Sequence, residues 1–94
     1  MSEFKGQAIA NTAWAFATLG YLDKNLFAAL AREAQLQMSE LKIQELSNTA
    51  WAFATLGQLD ENLFAAFARS AERRSSEFLP QNIANTVWAF ATLG

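Results

Sequence analysis

One ten-residue segment occurs three times at a constant spacing, and this repeat constrains the fold more than any other feature of the chain. The segment Asn11–Gly20, NTAWAFATLG, recurs unchanged at Asn48–Gly57 and once more at Asn85–Gly94, where Val87 replaces an alanine. The copies begin at residues 11, 48 and 85, so the period is 37 residues. A repeat of this length indicates supersecondary units that stack on one another and bury a continuous core.

Each 37-residue unit has room for two α-helices of about four turns each and two short connections. The segments are rich in alanine and lack strict alternation, which argues against strands, and no heptad pattern runs through the unit. We predict a first helix, A, at Gly6–Leu19, ended by Gly20 in the left-handed conformation. Asp23 is the predicted N-cap of a second helix, B, which extends to about Met38.

The predicted architecture is all-α: a short α-solenoid of helix-turn-helix repeats, with five helices in about two and a half repeats. The repeats span approximately residues 2–38, 39–75 and, as a partial copy, 76–94 of a single domain that covers residues 1–94. Pro80 fits the first turn of the third A helix, where its missing N–H costs nothing. No polar capping helix is evident, which is typical of a piece of a longer array or of an end that pairs with another copy.

Helical phase gives the first A helix two different sides. Its apolar side consists of Ile9, Ala13, Phe16 and Ala17. Its opposite side consists of Gln7, Asn11, Ala15 and Thr18. The predicted inner stripe of the first B helix consists of Leu26, Phe27, Leu30, Ala31 and Ala34. This pattern predicts an inner, concave layer of A helices and an outer, convex layer of B helices.

The composition excludes several kinds of site. The chain has no cysteine and no histidine, so disulfides, thiolate nucleophiles, histidine bases and zinc sites built on these residues are excluded. There is no Gly-rich phosphate loop and no evident convergent carboxylate pair, so we expect no catalytic residues, no metal and no cofactor. No apolar run approaches a membrane span, so we expect no membrane contact. The net charge is −2, whereas nucleic-acid-binding domains are usually basic.

The three copies, each preceded by a glutamine at Gln7, Gln44 or Gln81, resemble octotricopeptide repeats. Those repeats are of similar length and often contain an Asn-Thr-x-Trp-Ala-x-Ala-x-Leu-Gly core. The resemblance covers nearly the whole chain and implies a solenoid of helical pairs that binds RNA in organellar RNA processing, stability or translation. It is also the only basis for expecting a chloroplast or mitochondrial location. Related pentatricopeptide and Pumilio-type repeats read one base per repeat.

Candidate RNA contacts lie on the polar side of the A helices. Amide side chains donate and accept hydrogen bonds, so the repeated asparagines suit the edge of an unstacked base. Alternatively, the asparagines bond to the next repeat and hold the stack together; the sequence leaves both interpretations open. The residue after each glutamine is Ala8, Glu45 or Asn82, which fits a base-selecting position or, as we prefer, a freely varying surface position. With two lysines near the helix starts, the candidate contacts are Lys5, Gln7, Asn11, Lys42, Gln44, Glu45, Asn48, Gln81, Asn82 and Asn85.

Two further groups have a less direct link to RNA. Trp14, Trp51 and Trp88 suit base stacking, but their position at the border of the apolar side favours packing between repeats. A cluster of arginines on the second B helix is interpreted as a solvated face, and it consists of Arg69, Arg73 and Arg74.

Two functions therefore remain. The first is binding of single-stranded RNA along the concave side of the A helices, which the family resemblance favours. The second is a protein-interaction or self-assembling scaffold that uses the same groove or the uncapped ends of the array. The negative net charge and the short length of the chain favour the scaffold function for the isolated chain.

Overall fold

The computed structural model describes residues 6–58 and 60–93, and within them five α-helices follow one another without any strand. The helices are α1 (Gly6–Leu19), α2 (Lys24–Leu36), α3 (Ile43–Thr55), α4 (Glu61–Arg73) and α5 (Pro80–Leu93). Short 3₁₀ turns at Met38–Glu40 and Ser75–Glu77 precede α3 and α5. Helices α1, α3 and α5 correspond to the predicted A helices, and α2 and α4 to the B helices. The all-α prediction is confirmed.

Aspartate side chains begin both B helices. Oδ1 of Asp23 accepts a hydrogen bond from the N–H of Leu26 at 3.0 Å. Oδ1 of Asp60 accepts the equivalent bond from the N–H of Leu63, also at 3.0 Å. Each bond satisfies one of the N–H groups that the first turn of a helix leaves without a partner, and losing such a cap costs about 1 kcal/mol.

Glycines end the first two A helices, as the repeat predicts. Gly20 has a φ of 69° and Gly57 a φ of 72°, which lie in the left-handed region that side chains disfavour. Beyond the first of them, the N–H of Tyr21 donates to the carbonyl of Phe16 at 3.0 Å, the long-range bond of a Schellman motif. The same bond recurs one repeat later at 2.8 Å. The third predicted stop, Gly94, lies outside the described residues.

The A helices lie side by side in one layer. Helix α3 packs along α1 on one side and along α5 on the other, while α2 and α4 pack against them and against each other. Phenylalanine rings connect the two layers. The ring of Phe27 in α2 lies 6.3 Å from that of Phe16 in α1 and 4.9 Å from that of Phe53 in α3. One B-helix side chain therefore joins two successive A helices.

The predicted apolar sides form the core. Ile9, Ala13 and Ala17 of α1 are buried, and Phe16 is half-buried against them. In α2 the buried residues are Phe27, Leu30, Ala31 and Ala34, four of the five predicted for the inner stripe. The fifth, Leu26, packs against the core from a partly exposed position.

Candidate nucleic-acid interface

One stripe of each A helix escapes burial, and it carries the same four residue types in all three copies. Glutamine, asparagine, tryptophan and threonine follow one another at spacings of four, three and four residues, so they lie on one side of a helix. We call the combined surface the amide–tryptophan face; it consists of Gln7, Asn11, Trp14, Thr18, Gln44, Asn48, Trp51, Thr55, Gln81, Asn85, Trp88 and Thr92. Each of these side chains is exposed or half-buried.

Helix α3 explains why the stripe stays accessible. Its neighbours α1 and α5 cover two opposite sides, and the B layer covers the side that carries Phe53, which is 1% exposed. The only side left without a neighbouring helix within the described part of the chain carries Gln44, Asn48 and Trp51. The fold thus presents the stripes of α1, α3 and α5 next to one another.

The amide groups of this face form no hydrogen bonds within the part of the chain that the structure describes. Among residues 6–58 and 60–93, none of the six glutamine and asparagine side chains of the face forms a hydrogen bond with another described residue. The alternative that the asparagines hold the stack together through hydrogen bonds therefore has no contact to support it. Solvated amides keep their donors and acceptors available for a ligand.

A shallow groove brings the candidates of the first two copies together. It has a volume of about 270 Å³, lies between α1 and the start of α3, and is lined by Gln7, Ala10, Asn11, Lys42, Gln44, Glu45 and Asn48. Lys42 is the one lysine or arginine among these lining residues. The third-copy candidates Gln81, Asn82 and Asn85 lie on α5, outside this groove. Lys5 lies outside the described residues.

In the second and third copies, the variable position after the glutamine has a local structural role that sequence reasoning missed. Oε1 of Glu45 accepts a hydrogen bond from the N–H of Lys42 at 2.9 Å, and Oδ1 of Asn82 accepts one from the N–H of Leu79 at 3.0 Å. Both side chains cap the first turn of an A helix. The preferred interpretation as a freely varying surface position is wrong for Asn82, which is only 9% exposed. The signal was an oxygen-bearing side chain three residues after the residue that precedes the helix, at Glu45 after Lys42 and at Asn82 after Leu79.

The tryptophans combine packing between repeats with exposure. The rings of Trp51 and Trp88 lie 6.3 Å apart with an angle of 36° between their planes, so they meet across the α3–α5 boundary. Trp14 and Trp88 nevertheless remain 48% and 47% exposed. Sequence reasoning favoured packing alone and left these residues out of the candidate site. Their position three residues after each asparagine, on the same side of the helix, was the signal that linked them to it.

The arginine cluster lies apart from this face. Arg74 pairs with Glu77 at 3.3 Å. Arg69 and Arg73 are exposed on α4 and line a separate depression with Ser70. This arrangement fits the interpretation of a solvated surface for Arg69 and Arg73, whereas the side chain of Arg74 is only 20% exposed.

No protein-family model, curated protein or solved structure matches the chain. Within residues 6–58 and 60–93, no three acidic side chains are grouped closely enough to hold a metal ion. None of the described helices has the length and apolar character needed to cross a membrane.

Proposed function

We propose that this chain is a helical-repeat segment that binds single-stranded RNA on the amide–tryptophan face. The observation that carries the proposal is the juxtaposition, on three neighbouring helices, of accessible amides that bond no other described residue and of partly exposed indole rings. Amides can bond the edges of unpaired bases, and indole rings provide surfaces on which bases stack. The resemblance of the repeated core to octotricopeptide repeats supports the same function and an organellar RNA as the target.

Base contacts dominate this interface, because few cations are available for the phosphates. Lys42 is the lysine at the groove, and Glu45 lies beside it. For single strands, the logarithm of the binding constant falls by about 0.7 for each tenfold rise in salt and each phosphate neutralised. We therefore expect modest affinity at low salt and a shallow salt dependence, with a slope near that of one or two phosphate contacts.

The test is an anisotropy titration of short labelled single-stranded RNA pools at low salt. The variant Asn11→Ala/Asn48→Ala/Asn85→Ala removes one amide from each stripe. The matched control, Asn25→Ala/Asn62→Ala, removes exposed asparagines of the same type from the start of the B helices. A net hydrogen bond is worth about 0.5–1.5 kcal/mol, so we expect the triple variant to weaken binding by roughly tenfold or more and the control to bind like wild type. Absence of binding by wild type, or equal binding by the triple variant, contradicts the proposal.

A second substitution separates stacking from hydrogen bonding. Trp14→Ala removes a half-exposed ring at the edge of the layer, so its effect on folding is small compared with that of a core residue. Loss of one stacked base costs about 1–3 kcal/mol of binding free energy. The same titration measures this loss, and Trp14→Phe, which keeps an aromatic surface, is expected to retain most of the affinity.

A further inference from the structure

Two opposite sides of the A helices form the contacts within the A layer. The leading side faces the preceding A helix and consists, in the three copies, of Ala8, Thr12 and Ala15; Glu45, Thr49 and Ala52; and Asn82, Thr86 and Ala89. The trailing side faces the following A helix and consists of Ala10, Ala13 and Ala17; Ser47, Ala50 and Ala54; and Ala84, Val87 and Ala91. Direct contact links the two sides, since the hydroxyl oxygens of Thr86 and Ser47 lie 3.4 Å apart.

Burial of the trailing side depends on whether another A helix follows. All three trailing residues are buried in α1 and in α3. In α5 they are all exposed, and Val87 has 60% of its surface accessible. The residues of α5 are as small or apolar as those of the buried copies, so their exposure reflects the lack of a following A helix among the described residues and not a polar surface.

Burial of the leading side depends instead on whether another A helix precedes it. Ala52 in α3 and Ala89 in α5 are 0% exposed, because each packs on the helix before it. The equivalent Ala15 in α1 is exposed, and Thr12 is half-buried. Among the described helices, α1 therefore has an open leading side and α5 an open trailing side.

The open leading side of α1 is equivalent to the side of α3 that packs on α1. The open trailing side of α5 is equivalent to the side of α3 that packs on α5. Residues 11–20 of α1 and the following turn are identical to residues 48–57, which include the part of α3 that packs on α1. The contact is formed mainly by alanine, serine and threonine, which allow close approach of two helices. We propose that the trailing side of α5 docks the leading side of α1 from a second copy of this chain.

The proposed contact is heterologous, because two different surfaces meet. Each added copy leaves one α1 and one α5 side open, so the association is open-ended and yields chains of increasing length instead of a closed dimer. The added α1 lies beside α5 as α3 lies beside α1, so the amide–tryptophan face continues from one copy into the next. The association itself requires no RNA.

Sedimentation velocity in RNA-free buffer tests this contact, with two substitutions that each block one side. Ala15→Glu places a carboxylate on the leading side of α1, and Ala84→Glu places one on the trailing side of α5. Both positions are exposed in the single chain, so both variants are expected to fold, as helical circular dichroism checks. The matched control is Ala65→Glu, at an exposed alanine of α4.

Wild type and the control are expected to sediment faster as concentration rises, and each blocking variant is expected to remain monomeric. An equimolar mixture of the two blocking variants retains one intact leading side and one intact trailing side. It is expected to form a one-to-one complex that does not grow further. Only a head-to-tail contact predicts this rescue.

Three results overturn the inference: a wild-type chain that stays monomeric at every concentration, a blocking variant that associates like wild type, and a mixture that stays monomeric while wild type associates. If either glutamate variant loses its helical signal, Thr12→Glu and Ala91→Glu provide a second pair on the same two sides. RNA binding is measured separately, so failure of one proposal leaves the other unaffected.

Discussion

Helices α1 and α3 contain the same eight residues, NTAWAFAT, yet these residues have different surroundings. Ala15 and Ala52 occupy equivalent positions, and the first is exposed while the second is fully buried. Thr12 is half-buried, whereas the equivalent Thr49 is fully buried. The difference teaches that burial in this layer is determined by how many helices flank a copy, and not by the residues of that copy.

The consequence for stability is that α3 contributes most. It packs against α1, α5 and the B layer, whereas no A helix among the described residues packs on the leading side of α1. In repeat proteins, stability is approximately a sum of the terms of each unit and of the contacts between neighbours. Identical substitutions at equivalent positions of α1 and α3 should therefore have unequal effects, and pairs of such variants test the comparison directly.

The largest difference is expected for glutamate in place of the equivalent alanines. Ala52→Glu buries a carboxylate between α3 and α1, where no cationic partner is available among the small residues of that contact. Since unpaired buried charges account for losses above about 4 kcal/mol, we expect Ala52→Glu to lower the unfolding free energy by at least about that amount. Ala15→Glu should change the unfolding free energy by less than about 0.5 kcal/mol.

Urea unfolding, followed by helical circular dichroism in dilute solution, measures both variants. Dilution matters because Ala15 also lies on the proposed contact between copies. Equal losses for the two variants would mean that the leading side of α1 is covered as completely as that of α3.

An intermediate difference is expected for the phenylalanines of the layer boundary. Phe53 is 1% exposed and contacts Phe27 edge-on, so Phe53→Ala should cost about 3–5 kcal/mol. Phe16 is half-buried and lies farther from the same ring, at 6.3 Å. We expect Phe16→Ala to cost roughly half as much. Urea midpoints with unchanged slopes would measure this ratio. A larger loss for Phe16→Ala would contradict the inference that α3 contributes more to stability than α1.

The sequence predicts the helices well because local signals at their ends agree with the repeat. The predicted end of the first A helix at Leu19 matches the end of α1, since Gly20 ends it in the left-handed conformation. Pro80 begins α5, as its fixed φ and missing N–H suggest. These features act within a few residues, so no knowledge of neighbouring helices is needed to interpret them.

The environment of each copy could not be predicted in the same way. Helical phase placed Ala15 on the polar side, which is correct for α1, but the equivalent Ala52 and Ala89 are buried by a preceding helix. The capping role of Asn82 depends on the exact residue at which α5 begins, and sequence patterns locate helix ends only within a few residues. The glutamines and asparagines of the amide–tryptophan face are exposed or half-buried, whereas the candidate Asn82 is buried. Binding of RNA by this face stays a prediction.

The smallest difference in unfolding free energy is expected for two buried serines, one in the central helix α3 and one in α4 of the B layer. The hydroxyl of Ser47 in α3 donates to the carbonyl of Ile43 at 2.9 Å, whereas Oγ of Ser70 in α4 is buried with no hydrogen-bond partner among the described residues. Ser47→Ala should lower the unfolding free energy by about 0.5–1.5 kcal/mol, the net value of one hydrogen bond. Ser70→Ala removes an unsatisfied group and improves helix propensity, so it should raise the unfolding free energy by up to about 1 kcal/mol. Parallel urea titrations distinguish these signs; a loss of stability in Ser70→Ala would mean that its hydroxyl has a partner in solution, such as a bound water.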